Sequence, residues 1–298
     1  MVTYNSGAYI REGIESILNQ SYSNFEFIIC DDCSSDNTWQ IIQSYNDPRI
    51  KAFRNNINIG EYPNRNKAVD LATGEYVIFI DGDDTMYHHA LGTIAYYIGR
   101  FSDCGMILLR EWDPRIRYPF LANPETIFRF EFLDTSIIGG NFTKVMFKKK
   151  AIVEAGYFPA HIRTGDNYIQ VKIALHYDAL AISDGLTWWR KRKGNASDTL
   201  MKDSKYMAEI INYRMALLND KDCPLNETDK VTAKTNIYGI YIRILIRLLL
   251  KFRFKELAYL WKQIPVPREY YKVLYVRSKL DYFNTYSGDN PLHTPVKN

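Results

Sequence analysis

Twice near its start the chain runs from a short apolar stretch straight into aspartates: Phe25 to Cys30 ends in Asp31-Asp32-Cys33-Ser34-Ser35-Asp36, and Tyr76 to Ile80 ends in Asp81-Gly82-Asp83-Asp84. Short apolar runs bounded by polar turns read as strands, and the unbroken YVIFI run predicts one buried on both faces of a parallel sheet. Helical periodicity fills the gaps. Ile10, Ile14, Ile17 and Leu18 recur at helical steps behind Ser6, a candidate cap, and Trp39, Ile41, Ile42 and Tyr45 follow the first acidic cluster. Ile50 to Phe53 reads as a strand, Asn55 to Asn64 as a loop, and Lys67 to Ala72 as a short helix. This alternation, continuing to about residue 110, predicts a doubly wound α/β sheet with right-handed crossovers. In such sheets ligands bind beyond the carboxyl ends of the strands, where both aspartate clusters fall.

The regularity weakens further on. Thr143 to Phe147, Leu180 to Ile182 and Leu186 to Trp189 read as strands and Tyr168 to Leu175 as a helix, so residues 111–199 form the second half of the same domain. Residues 200–298 read as helices, broken near Cys223-Pro224 and Pro265 to Pro267. Charge divides the same way: from residue 201 onward there are 17 Lys and Arg against 10 Asp and Glu, and before it 21 against 24. The mildly acidic body is a poor match for a DNA binder, while the basic tail can attract nucleic acid or an anionic membrane surface; no nucleic-acid partner is expected. Ile237 to Leu250 is too short and carries too many arginines to span a bilayer. Its Arg243, Arg247 and Lys251 share one helical face, which fits a helix lying on an anionic membrane or a buried helix with snorkelling arginine stems.

Three carboxylates within four residues repel one another, and a cation relieves that repulsion; Mg²⁺ and Mn²⁺ prefer oxygen ligands. A solvated Asp-Gly turn is the plain alternative. Cys30-Asp-Asp-Cys33 has the spacing of a redox pair, but two carboxylates between the sulfurs oppose thiolate formation. Cys104 and Cys223 stand alone, and the five histidines show no metal-ligand spacing.

Read together, Val2-Thr3-Tyr4-Asn5, Ile14-Glu15-Ser16-Ile17-Leu18-Asn19-Gln20-Ser21-Tyr22, IICDDCSSDNT, Asn58-Ile59-Gly60 with Arg65-Asn66, and GEYVIFIDGDD resemble glycosyltransferase family 2 in order and spacing. The resemblance is strong over residues 1–90, weaker to about 200 and absent from the tail. It implies a GT-A fold: a Rossmann-like, mostly parallel central sheet flanked by helices, with residues 1–110 binding the nucleotide sugar and 111–199 the acceptor. It further implies an inverting transfer from a nucleotide-diphosphate sugar, UDP-linked, with Mn²⁺ or Mg²⁺. By position, Thr3, Tyr4, Asn5 and Asp31 or Asp32 would hold the base, with Arg65 and Gly82 in the donor site. Asp81 would face the ribose or the metal, Asp83 would be the main metal ligand, and Asp84 would support the loop or reach the sugar.

The resemblance also implies a base that deprotonates the acceptor hydroxyl. Asp166 is the candidate, with Gly165 where the family commonly has Glu; a helix N-cap is its structural role. Arg190 matches a family arginine, and Arg192 stands where a His is expected. Both would lie in the nucleotide-sugar site, where Arg192 could pair with phosphate; a solvated basic loop is the alternative. No Gln-x-x-Arg-Trp motif is present, so the implied enzyme is non-processive, working on a glycan or lipid-linked acceptor in the cytoplasm or on the inner membrane face. A non-catalytic nucleotide-sugar binder of the same fold is the alternative, with a nucleotidyltransferase third. Only Met1 and Val2 precede the Thr-Tyr-Asn turn, so the first strand is expected to be short and a start-extended chain more stable.

Overall fold

A computed structural model describes residues 1–270 except 112, 115, 140 and 191–203. Among the described residues the first half alternates as the periodicity predicts. The elements are β1 (Val2–Thr3), α1 (Ile10–Leu18), β2 (Phe27–Asp31), α2 (Thr38–Gln43), β3 (Ile50–Arg54), α3 (Glu61–Leu71) and β4 (Tyr76–Ile78). There follow β5 (Thr85–Met86), α4 (Ala90–Ile98), β6 (Met106–Arg110), β7 (Phe120–Ala122) and α5 (Pro124–Leu133). A 3₁₀ turn at Phe142–Lys144 leads into β8 (Val145–Lys148), α6 (Lys149–Glu154), α7 (Gly165–Ile173), β9 (Ala179–Ser183) and β10 (Thr187–Trp188). Three further helices are α8 (Ser204–Leu218), α9 (Glu227–Leu250) and α10 (Phe254–Gln263).

β1, β2 and β3 pair in parallel, and a second sheet runs β4-β8-β6-β9-β7. A single parallel bridge, Val2 to Asp81, joins the two where the acidic loop begins. The second sheet is mixed: β6 and β9 are parallel, whereas β8 runs antiparallel to both β4 and β6. That corrects the reading of Tyr76 to Ile80. The strand ends at Ile78, has an antiparallel neighbour and is half-buried, although Phe79 and Ile80 beyond it are buried. An apolar run records burial without recording the direction of the partner.

Side chains of β6 alternate between two cores, Met106 and Leu108 on one face and Ile107 and Leu109 on the other. On the second face Ile10, Ile14 and Ile17 of α1 pack against Ile29 of β2. On the first, α5 and α7 meet α8, α9 and α10 in one continuous cluster running from Tyr62 to Ile264. The C-terminal helices therefore share a core with the sheet.

Candidate active site

The acidic loop leaves the seam between the two sheets. Gly82 N donates to Val2 O at 3.2 Å, and a Cβ on Gly82 would sit 2.5 Å from Thr3 Oγ1, so only glycine lets the loop lie against β1. Thr3 Oγ1 itself is buried without a hydrogen-bond partner. Next to it Tyr4 is half exposed, and Asn5, in the left-handed region at φ 50°, accepts from Ser35 N through Oδ1. Ser6 does not cap α1 with its side chain; its carbonyl accepts from Tyr9 N and Ile10 N, and its own N–H donates to Thr38 Oγ1.

The two base-binding candidates are both buried and hydrogen-bonded within the fold. Asp31 accepts from Ser34 N and Oγ and pairs with Arg54 Nε at 3.3 Å. Asp32 accepts from Asn55 Nδ2, Ile59 N and Gly60 N at 2.7–2.9 Å. Asp32 thus fastens the tight turn that launches α3, where Gly60 has φ 92°. Three donors to one carboxylate satisfy most of its acceptor capacity.

Arg65, on α3, lies beneath the acidic loop and only 1% exposed. Its guanidinium stacks 3.7 Å from the centroid of the Phe142 ring. Nη2 donates to Asp81 at 2.6 Å and to Glu61 at 3.1 Å, while Nε and Nη1 have no acceptor. Arg65 therefore acts on the loop through Asp81. Asp84 points inward, accepting from Thr143 Oγ1 at 2.6 Å and Arg190 N at 3.0 Å, and burial pushes its carboxyl up to about 6. That placement makes it a support of the loop. Arg190 straps the loop from outside: Nε donates to Asp83 O at 3.0 Å, Nη2 pairs with Glu12 at 2.5 Å, and the plane lies over Tyr9 and Trp188. Arg192 lies outside the described residues.

Asp166 sits in the first turn of α7, two residues past the cap position, which Thr164 occupies. Its Oδ1 accepts from Asn167 N at 2.8 Å. Burial raises its pKa to about 6, helped by the negative charge of Glu61 and opposed by the Asn167 N–H and Arg65. Glu61 and Arg65, which also pair with each other, are thus charges that the candidate base shares with the acidic loop. Tyr62 fixes the turn before it, donating through OH to Arg163 O at 2.7 Å and accepting from Gly165 N at 2.9 Å. A Cβ at position 165 would lie 2.7 Å from the Tyr62 ring. The aromatic ring fills the space that a Glu side chain there would need. From the C-terminal side, Tyr213 OH bonds Asn167 Oδ1 and Glu209 accepts from Arg163 N.

Glu61, Tyr62, Thr143 and Glu12 were not singled out by the sequence. Glu61 and Tyr62 fall in a stretch read as loop, where the start of a helix after Gly60 was the available signal; Thr143 and Glu12 reach the site only through tertiary contacts. Among the described residues no group of three or more His, Cys, Asp and Glu side chains forms a metal cage. The loop's other two carboxylates are Asp81, paired with Arg65, and Asp83. They fit Mg²⁺ or Mn²⁺, which is commonly held by one or two carboxylates together with substrate phosphates and water.

The sequence model of Glycosyl transferase family 2 matches residues 1–155. A UDP-Glc:alpha-D-GlcNAc-diphosphoundecaprenol beta-1,3-glucosyltransferase, WfaP of Escherichia coli, is 44% identical over 84 residues, 28% of this chain and 34% of that protein. The chain therefore spans about a third of the length of that relative. S. aureus TarS in complex with UDP-GlcNAc superposes with a TM-score of 0.60 at 24% identity, covering 80% of this chain and 70% of that one. The mannosyltransferase PcManGT from Pyrobaculum calidifontis, in complex with GDP-Man and Mn²⁺, gives 0.56 at 18% identity and covers 93% and 87%. Both structural likenesses are of fold.

Proposed function

This chain belongs to glycosyltransferase family 2, and from that premise we propose that it moves a sugar from a UDP-linked donor to a hydroxyl of a lipid-linked or growing glycan. The transfer is inverting and non-processive. Residues 1–110 would hold the donor, 111–199 the acceptor, and 200–298 the helical support. A lipid-linked acceptor would place the reaction at the cytoplasmic face of the cell membrane.

One observation carries the reading: α3 links the two parts of the site, Arg65 pairing with Asp81 of the acidic loop while Tyr62 accepts from Gly165 N, next to Asp166. Asp166 takes the proton of the acceptor hydroxyl as that oxygen bonds to the anomeric carbon. The bond from that carbon to the diphosphate oxygen breaks, and the nucleoside diphosphate leaves with the electron pair. A positioned base contributes roughly 10²- to 10⁴-fold in rate. Arg65 holds Asp81 in place, and Asp84 and Arg190 hold the loop's shape. Mn²⁺ or Mg²⁺, held by Asp83 with Asp81, would neutralise charge developing on the diphosphate when bound.

Calorimetric titration of UDP, GDP and dTDP, with and without Mn²⁺, into wild type and Asp83→Ala tests the donor site. Metal-dependent binding of UDP that Asp83→Ala abolishes is expected. Absence of binding by folded wild type would overturn the enzyme reading.

A further inference from the structure

The hairpin of α9 and α10 carries an outward face that the core does not use. α9 turns Ile237, Tyr241, Ile242, Leu245 and Leu248 inward, all buried. At its end Leu249 is 50% exposed and Leu250 73%, followed by Phe252 at 77% and Phe254 at 56%; Trp261 on α10 is 57% exposed. Contiguous exposed apolar side chains of this kind mark contact sites.

The turn itself is unusual. Phe252 N donates to Leu249 O at 3.0 Å and Arg253 N to Leu248 O at 2.9 Å, the paired bonds of a Schellman closure. The residue at the turn of that motif adopts a left-handed backbone and is usually glycine. Here it is Phe252, with φ 55°. Both its backbone and its exposed ring, edge-on to Phe254 at 6.1 Å, run against local preference. An outlier of this sort points to a use for the side chain.

Charge identifies the occupant. From Arg243 to Lys262 there are six basic residues and one acidic, Glu256, which pairs with Arg253 at 2.5 Å. Arg243, Arg247, Lys251 and Lys255 have no ion-pair partner among the described residues, and the first three rim a hollow of about 380 Å³ with Ile246 and Leu250. A second copy would oppose like charges, and nucleic acid would leave Leu249 and Leu250 in water. Among the described residues no helix is long and apolar enough to cross a membrane. We propose that this face lies on an anionic bilayer, with Leu250, Phe252, Phe254 and Trp261 in the headgroup boundary and Arg243, Arg247, Lys251 and Lys255 on lipid phosphates.

This inference stands apart from the transfer reaction, and its test reads binding alone. The full chain is sedimented with phosphatidylcholine vesicles and with vesicles containing phosphatidylglycerol, as wild type, Phe252→Gly, and Arg243→Gln/Arg247→Gln/Lys251→Gln. Glycine suits the turn, so Phe252→Gly should fold at least as well as wild type. Wild type should favour the anionic vesicles; Phe252→Gly should weaken that binding by about tenfold, and the triple variant should lose the anionic preference. Equal affinity for both vesicles, or no effect of Phe252→Gly, would overturn the proposal. So would self-association in ultracentrifugation that Phe252→Gly abolishes without any vesicle binding, which would assign the face to a second copy.

Discussion

Burial pushes the carboxyl of Asp166, in the first turn of α7, up to about 6, and the negative charge of Glu61 adds to the shift. Facing it are Glu61, Tyr62 and Arg65 of α3, and Tyr206 and Tyr213 of α8. In its proposed role as base it must be ionised, so the transfer rate should fall as pH drops below about 6. Glu61→Gln removes one cause of the raised pKa, and the acid limb of the pH–rate profile should move to lower pH. A limb unmoved by this change would assign it to another group. Stability runs the other way. The folded protein binds the extra proton between the ordinary carboxylate value of 3.8 and about 6, so this group's contribution falls as pH rises through that window. Asp166→Asn should therefore lose roughly 10²- to 10⁴-fold in transfer yet gain on the order of 1–2 kcal/mol at pH 7, with little gain near pH 4. Urea denaturation at both pH values checks the sign. A residue that served only to brace the helix start would give a loss at both.

Where helices begin decides where these groups sit. α1 and β2 were legible in the sequence because their buried positions repeat at one period: Ile10, Ile14 and Ile17 along one stripe, and five consecutive buried residues in β2. α3 was legible only in its second half. Gly60 and Pro63 looked like loop punctuation, but Gly60 supplies the turn before the helix, and Pro63 lies in the first turn, where a missing N–H removes no helical bond. α5 was missed although Asn123 caps it and Pro124 opens it; its buried phenylalanines at 128, 130 and 132 obscure a helical stripe. The aspartates of the site were legible as positions. Their partners were not, because Asp32 with Ile59 and Gly60, or Asp84 with Thr143, are pairings made by the tertiary fold. Gly165 shows the same limit: it reads as a departure from a motif, and only the Tyr62 ring explains it. Helix propensity alone favours Ala over Gly by about 1 kcal/mol. Because its Cβ would meet that ring, Gly165→Ala should instead destabilise by about 1–3 kcal/mol in denaturant, and a gain would show that the ring yields freely.

On the scale of the whole molecule, the C-terminal helices bear on both the core and the candidate site. α8 contributes Ile211, Tyr213, Leu217 and Leu218, α9 Tyr241 and Leu245, and α10 Leu260 to the same cluster as Phe128 of α5 and Ile169 of α7. Burial of a large apolar side chain is worth about 1.5–3 kcal/mol, so loss of these helices would remove a large favourable contribution from the shared core. Polar contacts tie the same helices to the site. Arg214 pairs with the buried Glu131 at 2.7 Å, Lys172 with Asp220 at 3.2 Å, and Tyr213 with Asn167, the neighbour of Asp166. A division at residue 199 follows the change in charge and periodicity but cuts through this core. The full chain should unfold in one cooperative transition, and a fragment of residues 1–203 should expose the Phe128 face and fail to give one. Far-ultraviolet circular dichroism with thermal melting distinguishes the outcomes. A cooperative melt from the fragment, within a few degrees of the full chain, would show that the sheet half is an autonomous domain and that the helices brace α7 without being needed to fold it.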